Sequence, residues 1–128
     1  MFSVRYLVIF YAILIFVVSS IPYLSHPSSR FELIDKLYHL IEFSVLSFLL
    51  FMAFFKSDLK PFNKRPHLFS IFFGVIYALS DEIHQSLVPG RSADIFDFIA
   101  DCIGVVMIQV IIWVYFKSKS REIGEIQN

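Results

Sequence analysis

Four apolar stretches, separated by short polar segments, run through most of the chain. They cover residues 6–24, 35–55, 68–88 and 95–116. Each is close to the length of about 20 helical residues that crosses the hydrocarbon core of a bilayer. Pro66 and the pair Pro89-Gly90 interrupt the pattern between stretches. We therefore predict an all-α membrane protein, with one bundle of four transmembrane helices over residues 1–116 and a polar, disordered tail over residues 117–128.

Composition agrees with membrane insertion and excludes other classes of protein. Hydrophobic residues make up 57% of the chain, and its 16 phenylalanines are more than a soluble domain of 128 residues can bury. A formal net charge of zero gives no sign of nucleic-acid binding. Cys102 is the only cysteine of the sequence, which excludes an internal disulfide and a zinc site of the CxxC type.

The distribution of basic residues predicts the orientation in the membrane. Eight Lys and Arg residues lie on the side that would hold both termini and the second loop, against three on the other side. Because cytoplasmic loops are enriched in Lys and Arg, we expect both termini in the cytoplasm. Eight of the eleven Asp and Glu residues lie on or toward the opposite, outer side.

Polar and ionisable residues recur on one face of three predicted spans. The faces are formed by Asp35, His39 and Glu42 in the second span, Asp81, His84 and Gln85 in the third, and Asp94, Asp97 and Asp101 in the fourth. Glu82 lies about 100° around the helix from Asp81, on the flank of the third face. Since exposing charged groups to lipid is costly, the three faces are expected to converge on a polar cavity open to the outer side.

Some of these residues also have purely structural explanations. Asp35 and Asp94 stand at predicted helix starts, where a carboxylate caps free N–H groups. Asp97 in the first turn favours the helix dipole, and Lys36 can extend its ammonium to the membrane surface. The deeper acids and histidines can form an interhelical hydrogen-bond network. Two loop histidines, His26 and His67, are expected to be solvated.

A specific combination of motifs accompanies these faces. It consists of DKLYHLIEF at 35–43, SDEIHQ at 80–85, PGRS at 89–92, DFIAD at 97–101, and the single residues Ser19, Ser20, Pro22 and Gly104. In this combination the chain resembles the VanZ-like family of small bacterial membrane proteins. Asp101 departs from the family pattern, in which Asn is frequent. The resemblance implies a multi-pass protein of the bacterial cytoplasmic (inner) membrane that lowers susceptibility to teicoplanin-type glycopeptide antibiotics, or a more general role in the cell envelope, without an agreed mechanism.

Two functions are compatible with these residues. In the first, the protein is not an enzyme, and its outward site binds an envelope component such as a lipid-linked precursor, a phospholipid or the glycopeptide. Arg91 is the expected anchor, because a guanidinium binds phosphate or carboxylate with two hydrogen bonds. The substrate-binding candidates are Arg91, Gln85, Lys36, Asp97 and Asp101. Beyond the lipid bilayer, the residues indicate no partner chain or oligomeric state.

In the second function, the protein is a membrane-embedded hydrolase or transferase acting on a lipid-linked or phospholipid substrate at the outer leaflet. The catalytic candidates are Glu82, His84 and His39, with a histidine as general base oriented by a carboxylate. A divalent metal is an alternative activator of water, although no cofactor is required by the sequence. The candidate ligands are His39, Glu42, Asp81, His84 and Asp101. A proton relay is disfavoured, because the acids cluster on one side of the membrane.

Overall fold

A computed structural model of the protein describes residues 4–22 and 29–126, with side chains described for residues 4–22 and 33–123. Over these ranges the chain forms five helices and no strand. The helices are α1 (Val4–Ser19), α2 (Ser29–Phe55), α3 (Lys60–Lys64), α4 (Pro66–Gln85) and α5 (Ile95–Ile126). The predicted all-α class is confirmed for this part of the chain.

Two of the helices are long and apolar enough to cross a bilayer. The segments are Leu33–Phe55 of α2 and Ile95–Ile123 of α5, each longer than the roughly 20 residues that a span needs. α1 is a shorter apolar helix of 16 residues. By length and composition, α2 and α5 favour a membrane protein.

Several helix boundaries differ from the predicted ones, including both ends of α4, which covers residues 66–85 instead of 68–88. α1 ends at Ser19 and residues 20–22 form a turn, while residues 23 and 24 of the predicted first span lie outside the described residues. α2 begins at Ser29, so Asp35 lies inside the helix and the capping explanation for Asp35 is wrong. α5 continues to Ile126, so residues 117–126, predicted to be disordered, are helical.

α2 and α5 pack against each other with their backbones in direct contact. A Cβ atom added at Gly104 of α5 would overlap the carbonyl oxygen of Leu40 in α2. Ser44 Oγ donates a hydrogen bond to the Gly104 carbonyl at 3.0 Å, and Ser47 Oγ donates one to the Val105 carbonyl at 3.1 Å. α4 packs against both helices. These three helices therefore form the centre of the bundle.

α1 rests on this centre from one side. Its backbone packs against those of α2 and α4, and among the described residues no Cα atom of α1 lies within 8 Å of one in α5. Tyr11 of α1 donates a hydrogen bond to the Glu42 carbonyl at 3.3 Å, and Tyr77 of α4 donates one to the Ala12 carbonyl at 2.6 Å. Ile15 is the residue of α1 that enters the apolar core. The attachment of α1 thus includes hydrogen bonds to backbone carbonyls and one buried apolar side chain.

His67 lies in the first turn of α4 and is partly buried, so the expectation of a solvated loop histidine is wrong. Its Nδ1 is 2.8 Å from Gln109 Oε1, and its ring packs on Phe51 with the centroids 4.7 Å apart. Gln109 in turn donates a hydrogen bond to Ser47 Oγ at 2.8 Å. These contacts join α2, α4 and α5 with polar groups. His26 lies outside the described residues.

The interior and the surface have the reverse of the polarity found in soluble domains. Among the described residues, ten polar or ionisable side chains are buried, against nine apolar ones. Large apolar side chains are exposed on all four long helices. Examples are Phe10, Ile13, Leu37, Ile41, Phe72, Ile76, Ile103 and Val110. A monomer in water rarely exposes so much contiguous apolar surface, whereas lipid solvates it without cost.

Candidate functional site

A buried histidine–carboxylate pair lies beside the closest approach of α2 and α5. His39 Nδ1 and Asp101 Oδ1 are 3.0 Å apart, and both side chains are almost completely buried. Asp101 lies about one turn before Gly104, and His39 directly precedes Leu40, so the pair borders the glycine contact. The structure thus brings together two of the predicted site residues, one from each helix.

Glu82 of α4 joins this pair. One ligand atom from each of His39, Glu82 and Asp101 lies within 4.8 Å of the other two, and all three side chains are buried. Glu82 Oε2 accepts the backbone N–H of Asp94 at 2.9 Å. Glu82 Oε1 and Asp101 Oδ2 have no hydrogen-bond partner within the described part of the chain. His39, Glu82 and Asp101 are referred to below as the buried triad.

Lys36 links α2 to the start of α5 through two carboxylates. Its Nζ donates to Asp94 Oδ2 at 3.2 Å and to Asp97 Oδ1 at 3.0 Å. Asp97 is buried, and one of its oxygens lies within 4.8 Å of ligand atoms of His39 and Asp35. Lys36 therefore forms ion pairs with Asp94 and Asp97, beside the buried triad.

Asp94 caps the N-terminus of α5, as predicted from its position at the start of the helix. It directly precedes the helix, and its Oδ1 accepts the N–H of Phe96 at 2.8 Å. This hydrogen bond, together with the Lys36 ammonium, holds the pKa of Asp94 below its usual value of 3.8. The charged form of Asp94 is accordingly favoured in the folded protein.

Replacing Asp94 with alanine is expected to lower the free energy of unfolding by about 1 kcal/mol, as is typical for an N-cap. Asp94→Asn retains a capping oxygen and is expected to cost less. Because the folded pKa is lowered, the advantage of Asp94 over Asn is present above the unfolded pKa. It is lost as the pH falls through the folded pKa. Thermal unfolding in detergent, at neutral pH and in acid, measures both effects; equal stability of the three proteins at neutral pH would contradict the cap.

The polar residues at the end of α4 point to different neighbours. Gln85 Nε2 donates to Asp81 Oδ2 at 2.6 Å within the helix, and both side chains are buried. His84 faces α1 instead, with Nε2 2.9 Å from Ser20 Oγ and its ring stacked on Phe16 at a centroid distance of 4.4 Å. Of the predicted face, the structure keeps Asp81 and Gln85 together and places His84 apart from them.

A pocket of about 510 Å³ lies between α1 and α2, beside the end of α4. It is lined by Tyr11, Val18, Ser19, Ile34, Asp35, Tyr38, His39, Ile41, Glu42, Gln85 and Arg91. Its α2 side carries the polar groups of Asp35, His39 and Glu42. The apolar lining residues Ile34 and Ile41 are exposed at the surface of the protein. The pocket therefore combines polar and apolar walls.

Arg91 reaches the pocket from the connection between α4 and α5. The backbone N–H of Arg91 donates a hydrogen bond to the Val88 carbonyl at 3.1 Å, and Gly90 has a φ of 77°. Pro89-Gly90 thus occupies the two central positions of a type II turn, where the second requires positive φ. Arg91 Nη1 lies 3.3 Å from the Val18 carbonyl oxygen and 3.4 Å from that of Ser19, at the end of α1. The turn and these contacts place the guanidinium beside the pocket.

The candidate metal ligands are grouped differently from the predicted set. Two of the five, His39 and Asp101, lie in the buried triad, together with Glu82. The other three lie elsewhere: Glu42 in the pocket wall, Asp81 against Gln85, and His84 against α1. The catalytic candidates divide in the same way, because His39 and Glu82 are neighbours and His84 is not part of their group.

Comparison with known families identifies the chain. The family model described as VanZ/LLP1 matches residues 2–116, which include all the residues of the pocket and of the buried triad. The chain belongs to the VanZ/LLP1 family. The resemblance inferred from the sequence motifs is thereby confirmed. Searches of curated proteins and of solved structures give no match.

In this VanZ/LLP1 protein, Asp35 and Tyr11 belong to the pocket although neither was among the candidate site residues. Asp35 was on the predicted polar face, and its i, i+4 spacing to His39 was the available signal. It lines the pocket and has an oxygen within 4.8 Å of His39. Tyr11, like Ser19, contributes a hydroxyl of α1 to the pocket lining. Its position in an apolar stretch gave no indication of a role.

Proposed function

We propose that this VanZ/LLP1 protein spans the bacterial cytoplasmic membrane four times, through α1, α2, α4 and α5, with both termini in the cytoplasm. The exposed apolar side chains on all four helices support this arrangement. An ion pair between Arg5 and Asp58, 3.8 Å apart, supports one common side for the start of α1 and the α2–α3 connection. The whole segment between α2 and α4 carries four Lys and Arg residues over positions 56–65, as expected for a cytoplasmic loop.

We further propose that the protein binds an amphiphilic envelope component at the outer leaflet. The expected ligand is a lipid-linked precursor or a phospholipid whose phosphate contacts Arg91. Binding of this kind would alter the cell envelope and lower susceptibility to teicoplanin-type antibiotics. The observation that carries the proposal is the pocket between α1 and α2, which has both apolar and polar lining residues and Arg91 at its edge.

The apolar and polar lining residues suit the acyl chain and the headgroup of such a ligand. Ile34 and Ile41 line the pocket and are also exposed on the side of the helix that would face lipid. An acyl chain can therefore lie along these residues without leaving the membrane. Asp35 and Glu42 on the polar wall accept hydrogen bonds, which suits the hydroxyl groups of a glycerol or sugar. Arg91 supplies the positive charge for the phosphate.

Replacing Arg91 with alanine is expected to weaken binding of phosphatidylglycerol about tenfold or more, since a charge-assisted hydrogen bond contributes about 1.5–3 kcal/mol. Arg91→Lys keeps the charge but lacks the planar guanidinium. Its affinity for the lipid is expected to lie between those of the wild-type and Arg91→Ala proteins. Lipid binding to the detergent-purified protein can be measured by native mass spectrometry. Teicoplanin susceptibility of cells expressing each variant gives the corresponding phenotype.

Arg65→Ala provides the matched control for this experiment. Arg65 is exposed and precedes α4 at the opposite end of that helix from Arg91, so its loss should leave lipid binding unchanged. Normal expression and helicity of Arg91→Ala, together with undiminished lipid binding and unchanged susceptibility, would overturn the proposed role of Arg91.

The buried triad favours a second function, hydrolysis or group transfer on the same class of lipid. His39 lines the pocket and is held by Asp101 at 3.0 Å, which is the arrangement of a general base oriented by a carboxylate. Glu82 lies beside the pair. The lipid recovered after the binding experiment distinguishes the two functions. Intact phosphatidylglycerol supports a binding protein, whereas release of its headgroup supports an enzyme.

A further inference from the structure

Three helices bring one metal-ligating group each to a single buried point. His39 comes from α2, Glu82 from α4 and Asp101 from α5, and one ligand atom of each lies within 4.8 Å of the other two. The exposed fractions of these residues are 6%, 6% and 0%. The group is therefore different from a surface cluster of acids, in which water solvates each carboxylate.

Each carboxylate of the buried triad has one oxygen that lacks a hydrogen-bond partner. These atoms are Glu82 Oε1 and Asp101 Oδ2, and the statement holds for the described residues. Buried polar atoms are nearly always paired, because an unpaired one loses its hydration without compensation. Two unpaired oxygens in one group of three side chains indicate a missing cation or proton.

The charge around the triad favours a cation. Glu82 and Asp101 bring two carboxylates into the interior, while the nearby ammonium of Lys36 is paired with Asp94 and Asp97. A divalent cation neutralises two carboxylates, and neutral imidazole can complete its coordination. The triad itself would then carry no net charge.

We propose that His39, Glu82 and Asp101 bind a divalent transition-metal cation such as Zn²⁺ or Mn²⁺. One imidazole and two carboxylates suit these ions, whereas Mg²⁺ and Ca²⁺ prefer oxygen ligands throughout. Ligand atoms of a tetrahedral zinc are about 3.4 Å apart, given bonds of roughly 2.1 Å. The limit of 4.8 Å on the distances within the triad is compatible with this spacing after small side-chain adjustments. Three protein ligands leave the fourth coordination position of the ion open. A ligand in the adjoining pocket can occupy this position, because His39 also lines the pocket.

A second group, Asp35, His39 and Asp97, has similar distances but fits a cation less well. Asp97 already contacts the Lys36 ammonium at 3.0 Å, so a cation there would compete with a positive charge. Asp35 is also less buried than Glu82 and Asp101. Asp97 belongs to the second group and Asp101 to the buried triad. The same Asp→Asn change at each position therefore tests which group binds the ion.

The test is a titration of the full-length protein, purified in detergent and stripped with EDTA, with Zn²⁺ and with Mn²⁺ by isothermal calorimetry. The wild-type protein should bind close to one equivalent of at least one of the two ions. Glu82→Gln and Asp101→Asn should weaken binding at least about 100-fold, since even residues that only support a ligand contribute 10–100-fold. Asp81→Asn and Asp97→Asn should retain the wild-type affinity. Asp81 is the matched control, because it is a buried carboxylate of α4 that lies outside the triad.

Circular dichroism establishes that each variant is folded before titration. If the triad variants do not fold, X-ray absorption of the zinc-loaded wild-type protein identifies the atoms that bind the ion. Nitrogen and oxygen ligands without sulfur support the site, and a zinc–sulfur bond overturns it by pointing to Cys102. The proposal is also overturned if folded wild-type protein binds neither ion, or if Asp97→Asn abolishes binding and Glu82→Gln does not. Lipid binding at Arg91 is measured separately, so either proposal can fail without the other.

Discussion

Gly104→Ala is expected to lower the free energy of unfolding by roughly 3 kcal/mol, at the upper end of the usual cost of overpacking. The added Cβ would overlap the Leu40 carbonyl oxygen and would lie 3.1 Å from Ser44 Oγ. Because a backbone carbonyl cannot rotate away, α2 and α5 would have to separate along their interface. Thermal unfolding of the purified protein in detergent measures the loss, and a reduced yield of monodisperse protein would accompany it.

Gly74→Ala is the matched control, since it makes the same change in α4. Its Cβ would lie 3.0 Å from the two methyl groups of Val105, which belong to a side chain rather than the backbone. The gain of about 1 kcal/mol in helix propensity offsets much of this crowding. We therefore expect a loss below about 1 kcal/mol. Equal stability of the two variants would show that α2 and α5 are not in backbone contact at Gly104.

His39→Leu is expected to destabilise the metal-free protein by about 3 kcal/mol. The reason is that breaking a buried pair leaves the other partner without compensation. Asp101 would lose the contact of its Oδ1 with His39, and its Oδ2 has no partner in the described residues. Replacing both residues, as in His39→Leu with Asp101→Leu, should recover most of the stability because neither member of the pair is left buried without its partner. Unfolding in the presence of EDTA separates this effect from cation binding.

His84→Leu serves as the comparison for this pair. His84 is partly buried and its ring nitrogen contacts the neutral hydroxyl of Ser20. The loss should be close to about 1 kcal/mol, the usual net contribution of a neutral hydrogen bond. If His39→Leu costs no more than His84→Leu, the pair with Asp101 contributes little to stability.

The sequence allowed the convergence of polar faces from α2 and α5 to be predicted. The i, i+4 and i+7 spacing in α2 placed His39 on a polar face, and the i, i+3 and i+7 spacing of Asp94, Asp97 and Asp101 did the same for Asp101. The cost of exposing such faces to lipid required them to meet. The structure places the two side chains 3.0 Å apart. Periodicity was sufficient here because each of these helices has one polar face at this level.

The arrangement of α4 was not predictable in the same way. Spacing alone grouped Asp81 with His84 and Gln85 and left Glu82 on the flank. α4 packs against α1, α2 and α5, so more than one of its faces is buried. Glu82 turns to α5, where the Asp94 N–H donates to it, and His84 turns to α1. A helical period identifies which residues share a face, but the number of neighbouring helices decides which faces are buried.

The helix limits were also only partly predictable. The polar composition of residues 117–126 favoured disorder, yet α5 continues to Ile126. Lys, Arg and Glu in this segment are good helix formers, and extending an existing helix avoids the cost of nucleation. A prediction from hydropathy stops where the apolar residues stop, which is not where the backbone hydrogen bonds end.

The pocket and the buried triad share His39 but are built from different sets of helices. The triad is carried by α2, α4 and α5, which pack on one another, whereas the pocket needs α1 as a wall. Within the described residues the backbone of α1 packs against only two of these three helices, so displacing α1 costs fewer contacts than displacing any helix at the centre. The volume available to a ligand can therefore change while the distances within the triad stay the same. Ligand size and cluster chemistry are thus separately adjustable by substitution, the first in α1 and the second in α2, α4 and α5.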